Sequence, residues 1–210
     1  VVVQRADDDF VKLALQDTDR RVSEGKPVAP SFLLACVLWA DVRRAWEKRL
    51  QTRPGQRPMP PFAALQDAVD DAWTQASNQE VSVTILQIPH SAPCVGDRPL
   101  LARAMANVLN NAIKYSPARG TVRCSLYARG TNWVISIHDE GPGIDPAQQD
   151  RLFKPFSRLH DLTHPNISGV GLGLALVHTV VKRHGGSLEL ESAVGQGAEF
   201  RLVLPASASD

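Results

Sequence analysis

The chain has 210 residues, 43% of them hydrophobic, and a formal net charge of +1. That length can bury a proper core for one sizeable domain plus an appendage, and a near-neutral charge offers no electrostatic hold on nucleic acid or an acidic membrane. Cys36, Cys94 and Cys124 lack metal-ligand or disulfide spacing and read as reduced thiols of a cytosolic setting, while the longest apolar run, residues 32–40, falls short of the roughly 18 residues of a membrane span.

The first region, residues 1–51, reads as wholly helical. Val3, Ala6, Phe10 and Leu13 recur at alternating three- and four-residue steps on one helix stripe. The chain opens inside that helix, as a fragment of something longer would. Ser23-Glu24-Gly25-Lys26-Pro27 breaks it, because Gly and Pro do not continue a helix cheaply. Ser31 is an N-cap for a second helix that carries Phe32, Trp39 and Trp46 seven apart on one face. A helical hairpin packed on itself and a bundle that forms a homodimer fit this pattern equally well.

Residues 52–61, TRPGQRPMPP, hold four prolines and read as an extended linker. From residue 62 the elements mix as in an α+β layer. Residues 63–79 form a helix with Leu65, Ala68, Val69, Ala72 and Trp73 inward. Residues 81–88 alternate as a strand and 100–115 form a strong second helix. Two alternating segments, 121–128 and 133–138, flank the hairpin signal Arg129-Gly130-Thr131-Asn132. Residues 144–168 show no clear periodicity. A third helix, 173–183, is closed by Gly185-Gly186, and strands 187–192 and 199–204 complete a second hairpin.

Three segments carry chemistry. On the second helix, Asn107 and Asn111 are four apart and share a face with Lys114. An amide carbonyl is a hard neutral ligand that suits Mg²⁺, which keeps several waters and bridges to phosphates. Lys114 adds charge for those phosphates and Tyr115 an aromatic face; a helix face that simply meets water is the plain alternative. Next, Asp139-Glu140-Gly141-Pro142-Gly143-Ile144 follows a strand directly. An acid ending a strand before two glycines sets a carboxylate at a cleft mouth, where it accepts from the exocyclic amine of adenine. The glycines let backbone approach a flat ligand, although an ordinary Asp-Gly turn has the same residues. Finally, Gly169-Val170-Gly171-Leu172-Gly173-Leu174 opens the third helix, where freed amides and a partial positive charge cradle phosphate. No Gly-Lys-Ser/Thr follows, so this is not a P-loop, and no early βαβ unit makes it a dinucleotide fingerprint.

The order and spacing of these segments resemble the ATP-binding catalytic domain of sensor histidine kinases, in the superfamily that includes gyrase B, MutL and the heat-shock chaperone ATPases. NVLNNAIKYSP resembles the N box, DEGPGI the first glycine box, Phe153-Lys154-Pro155-Phe156 the F box and GVGLGLALV the second glycine box. The tail RHGGSLELESAVGQGAEFRLVLP resembles the closing segment, and the likeness covers residues 62–205. It implies a two-layer α/β sandwich of the Bergerat ATP-binding type, a mixed sheet packed against helices and preceded here by a helical segment.

The resemblance further implies that Asn111 holds Mg²⁺ with Asn107 nearby, that Lys114 contacts the phosphates and that Tyr115 lies against adenine. Asp139 would accept from the adenine amine, Gly141 and Gly143 would line the base, and Ile144 would pack on it. Residues 145–168 would form a lid anchored by Phe153 and Phe156 and hinged at Gly169, Gly171 and Gly173, with Leu172 and Leu174 in the same glycine box. The activity implied is ATP:protein-histidine phosphotransfer. Its partners would be ATP, a dimerisation and phosphoacceptor domain of the same protein, and a response regulator. This chain would be cytoplasmic and its parent anchored in the inner membrane of a bacterium.

The pattern also departs from the family. His90, His138, His160, His164, His178 and His184 include none that precedes an acid and a proline on a helix, so the acceptor histidine is expected outside the chain. DDDFVKLAL resembles the second dimerisation helix, and residues 17–57 match nothing in the family. Arg103 stands where some members carry Glu. A serine kinase of the anti-sigma-factor type shares the fold, and a degenerate kinase acting as a scaffold is the reading from another class.

Overall fold

The computed structural model divides the chain into two compact units, Val1–Pro54 and Gly55–Asp210. Residues 57–87, 94–153 and 171–206 are described here, all within the second unit. The expected helices of residues 1–51 lie outside them.

In chain order the elements are β1 (Arg57–Met59), α1 (Pro61–Asn78), β2 (Ser82–Gln87), β3 (Cys94–Gly96), α2 (Arg98–Tyr115), β4 (Thr121–Arg129), β5 (Asn132–Asp139), α3 (Pro146–Gln149), α4 (Gly173–Arg183), β6 (Ser187–Ser192) and β7 (Ala198–Pro205). Five strands form a mixed sheet in the order β2-β4-β5-β7-β6, with β2 parallel to β4 and the other pairs antiparallel. Period-2 alternation decides which face is buried. Cross-strand rows such as Cys124, Ile137 and Phe200, or Leu126, Ile135 and Leu202, line one face. On that face α1 packs against β2, α2 against β4 and β5, and α4 against β6 and β7, so the architecture is the two-layer α/β sandwich expected.

Helix α2 organises the helical layer. Asp97 caps it by accepting from the Leu100 N–H at 3.0 Å, which satisfies one of the donors a helix start leaves open. Leu101, Met105, Val108, Leu109 and Ile113 are fully buried beneath it. His184, at the end of α4, joins the two helices. Its Nε2 accepts from the Asp97 N–H at 3.0 Å and its Nδ1 lies 2.8 Å from the Val180 carbonyl, an acceptor. Gly96 allows this contact, because a Cβ there would lie 2.8 Å from Leu101 and 2.9 Å from the His184 ring.

Two details differ from the sequence reading. The Pro-rich linker of residues 52–61 ends in structure: Arg57–Met59 pairs antiparallel with Cys94–Gly96, Met59 is buried, and Pro61 starts α1. A strand this short at a sheet edge tolerates prolines, since they lose no ladder bond on the open side. Trp73 does not point inward. It is 67% exposed, while the face against α2 is built from Ala64, Leu65, Ala68, Ala72 and Ala76. Small residues let the two helices approach closely, and Trp73 stands outside that seam.

The two helix faces predict opposite outcomes. Leu109→Ala should cost about 2–5 kcal/mol through lost burial and a cavity, whereas Trp73→Ala should stay within about 0.5 kcal/mol. Urea unfolding midpoints of the two variants check both values.

Candidate functional site

Three segments meet where the C-terminal half of α2, the end of β5 and the start of α4 converge. Asn107 donates its Nδ2 to the Arg103 carbonyl at 3.0 Å, one turn back. That bond orients the amide and leaves Oδ1 facing α4: a Cβ built on Gly173 would lie 3.3 Å from it. Asn111 follows one turn later and is half-buried, and Lys114 places Nζ 5.6 Å from the centroid of the Tyr115 ring. Gly141 lies against the C-terminus of α2, since a Cβ there would be 2.7 Å from the Tyr115 carbonyl oxygen. The close approaches at Gly141 and Gly173 thus draw the first and second glycine boxes onto the helix that carries the asparagines.

Asp139 ends β5 and is 5% exposed. Its Oδ1 accepts from the Gly141 N–H at 2.9 Å. Burial pushes its pKa above the usual carboxylate range, partly offset by the N–H groups of Gly141 and Ala198 and by the charge of His138. A desolvated carboxylate with one fixed oxygen suits an amine donor approaching along one direction.

Gly143 has φ +70°, and a Cβ there would overlap the Ala193 carbonyl. Here only glycine fits. Ile144 is half-buried beside it. Residues 145–149 of the expected lid are fixed in part: Asp145 caps α3 by accepting from Ala147, and Gln149 bonds back to the loop. Phe153 packs near His178 of α4 with ring centroids 6.1 Å apart, so the first F-box aromatic rests on the helix behind the site. Gly169, Lys154, Pro155 and Phe156, with His160 and His164, lie outside the described residues. Gly171 has φ +76°, and Leu172 supplies no side-chain cap to α4, on whose first turn Gly173 and Leu174 lie.

The donor set is distinctive. Among the described residues no three His, Cys, Asp or Glu side chains gather as a metal group. The amide oxygens of Asn107 and Asn111 suit a hard cation that arrives with phosphate and keeps most of its water. The two described cysteines are buried thiols: burial pushes Cys124 up to about 12 and raises Cys94 as well. Sequence reasoning missed Ser192 and Gln149, which hold the loop carrying Gly143 and Ile144. Both are common polar residues with no motif of their own.

A model of the family described as histidine kinase-, DNA gyrase B-, and HSP90-like ATPase matches residues 96–208. Over 189 residues the chain is 34% identical to the sensor-like histidine kinase SenX3 of Mycolicibacterium smegmatis, covering 90% of this chain and 49% of that protein. It is 39% identical over 130 residues to the adaptive-response sensory kinase SasA of Gloeothece citriformis, covering 60% of this chain and 33% of that one. The solved structure of the mycobacterial sensor histidine kinase MprB aligns with a TM-score of 0.63 at 31% identity, over 72% of this chain and 97% of that chain. The chain spans about half the length, or less, of these curated relatives.

The raised pKa of Asp139 has a consequence for the ligand-free protein. The folded state holds this proton to higher pH than the unfolded state, so Asp139 favours folding below its unfolded pKa. That contribution is lost as pH rises through the folded value. Asp139→Asn removes the ionisation while keeping an acceptor for Gly141. The variant should therefore gain stability relative to the parent at pH 8, with the gain shrinking towards pH 4. Paired urea titrations at the two pH values test this.

Proposed function

The chain belongs to the histidine kinase-, DNA gyrase B-, and HSP90-like ATPase family, as the ATP-binding catalytic domain of a sensor histidine kinase, and from that premise we propose how its residues bind and use ATP. The supporting observation is the buried Asp139 carboxylate, held by the Gly141 N–H beside glycines at which the backbone makes its close approaches. Asp139 accepts from the adenine amine. Gly141 and Gly143 let backbone line the base, Ile144 packs on it, and Tyr115 lies against it from the end of α2.

The phosphates run from Tyr115 towards the start of α4. Lys114 supplies positive charge, and the first turn of α4 around Leu172, Gly173 and Leu174 supplies N–H groups and the helix dipole. Gly171, at φ +76°, leads into that turn. Asn111, with Asn107 one turn before it, would hold Mg²⁺ through amide oxygens; the ion supplies charge neutralisation at the phosphates when bound. The work of this domain is positioning and electrostatic stabilisation.

The γ-phosphoryl group passes to a neutral imidazole nitrogen, which is nucleophilic without a strong base. We assign that acceptor to a dimerisation domain of the same protein, outside this chain, and the next acceptor to an aspartate of a response regulator. Among the described residues, His184 is engaged at both ring nitrogens, His138 lies within β5 and His178 packs against Phe153 on α4. We propose none of the three as the acceptor. No helix among the described residues is long and apolar enough to cross a membrane.

Mg-ADP at about one hundred times its Kd should stabilise the chain by ~2.7 kcal/mol, and GDP should bind poorly, because a carbonyl faces Asp139 where adenine offers an amine. Asp139→Asn should weaken ADP binding by roughly 1.5–3 kcal/mol, the range of a charge-assisted hydrogen bond. Asn111→Asp should act mainly on the Mg²⁺ dependence. Calorimetric titrations with and without Mg²⁺ separate these effects, and a parent chain indifferent to ADP in both conditions would overturn the assignment. Incubated with labelled ATP, the chain should label an added His-bearing dimerisation helix in an acid-labile, base-stable form while leaving itself unlabelled.

A further inference from the structure

The turn between β6 and β7, residues 192–197, carries none of the nucleotide contacts proposed above, yet the base-contacting loop rests on it. Gly195 donates its N–H to the Pro142 carbonyl at 2.7 Å. The Ala193 carbonyl fills the space a Gly143 side chain would need, and the Asp139 carbonyl lies 2.0 Å from where a Gly197 Cβ would stand. The turn therefore meets the loop and the end of β5 backbone to backbone at three points.

Two side chains fasten this contact at Ile144. The Ser192 hydroxyl accepts from the Ile144 N–H at 2.9 Å and donates to the Gly197 carbonyl at 2.6 Å. Gln149, on α3, donates its Nε2 to the Ile144 carbonyl at 3.1 Å and to the Ser192 carbonyl at 3.0 Å. Both polar groups of the Ile144 backbone are thus held by side chains from two different elements. Each is a half-buried bond, and its loss leaves a backbone group that must find water or distort.

We infer that Ser192 and Gln149 are positioning residues that clamp Ile144 and hold the base-contacting loop in its binding shape from outside the nucleotide cavity. This rests on the nucleotide reading above and adds to it two residues that touch no part of the ligand. Ser192 alone both bridges loop to turn and helps fix Gly197 against Asp139, so its removal loosens the loop and the carboxylate together. Gln149 ties the same point to the first helical turn beyond the loop.

The test is the Kd for Mg-ADP of the full 210-residue chain, measured for the parent and for Ser192→Ala, Ser192→Thr, Gln149→Ala and Gln149→Glu. Ser192→Ala and both Gln149 variants should bind roughly 5- to 10-fold more weakly, about the net worth of one or two such hydrogen bonds. Ser192→Thr, which keeps the hydroxyl, should restore most of the affinity. Gln149→Glu keeps the shape but turns an acceptor towards two carbonyls, so it should be at least as impaired as Gln149→Ala. A Ser192→Ala or Gln149→Ala chain that binds ADP like the parent overturns the inference, as does a Ser192→Thr chain as weak as Ser192→Ala. Should Ser192→Ala not fold, the two Gln149 variants decide the question alone. A parent chain that binds no ADP would instead remove the nucleotide reading itself.

Discussion

The site depends on a contact that only glycine permits. At Gly197, φ is +74° and the backbone passes directly against the carbonyl of Asp139, and at Gly143 the loop passes directly against Ala193. Any side chain at either position would push β5 and the β6–β7 turn apart. Because Asp139 is the last residue of β5 and pairs with Ala198, that separation would move the carboxylate first. Backbone touching backbone is stiff in a way that packed side chains are not, since no rotamer change can relieve it. The half of the site proposed to hold the base is therefore set by the sheet itself.

Helix α2 sets the other half, and it does so by dividing its circumference. Leu101, Met105, Val108, Leu109 and Ile113 anchor it in the core, while Asn107, Asn111 and Lys114 share the opposite stripe. Moving α2 along or about its axis would cost core packing before it displaced an amide. The His184 bonds add a second restraint by tying its N-cap to the end of α4. The polar side chains of the site are thus aimed by apolar burial on the far side of the same helix.

Much of this was legible in the sequence, because period and turn chemistry speak clearly in α2, β4, β5, α4 and the last hairpin. Their alternation and their glycine punctuation place the ends within a residue or two of the observed bounds. What escaped has physical causes. β1 and β3 are three residues each, too short for alternation to register, and prolines around β1 imitate a linker. Trp73 adjoins the buried stripe of α1, and hydropathy alone sends it inward; the alanine seam against α2 leaves it outside. Ser192 and Gln149 escaped for a different reason. Their partners are backbone groups distant in sequence, and a hydroxyl or an amide that bonds to backbone leaves no pattern along the chain. The residues proposed to touch ligand sit in motifs, whereas residues that hold those motifs in place are visible only once the turn has folded back.

The exposed face of the sheet supports the same division of labour. Its charges pair among themselves, Arg123 with Glu140, Arg129 with Glu189, and Arg201 with Glu191 and Glu199. The Arg123 and Arg129 pairs are exposed enough to contribute little stability, whereas Arg201 and Glu199 are mostly buried. Two further electrostatic features lie at the end of β5 and at the start of α4. Asp139 is an ionisable group whose burial disfavours its charge. The N-terminus of α4 begins at Leu172, where a Ser, Thr or Asp cap would be worth about 1 kcal/mol. Each is unfavourable in the empty protein and becomes favourable when a ligand brings what it lacks, an amine donor at one end and an anion at the other. A molecule with adenine at one end and phosphates at the other meets both needs at once, and neither end alone does so.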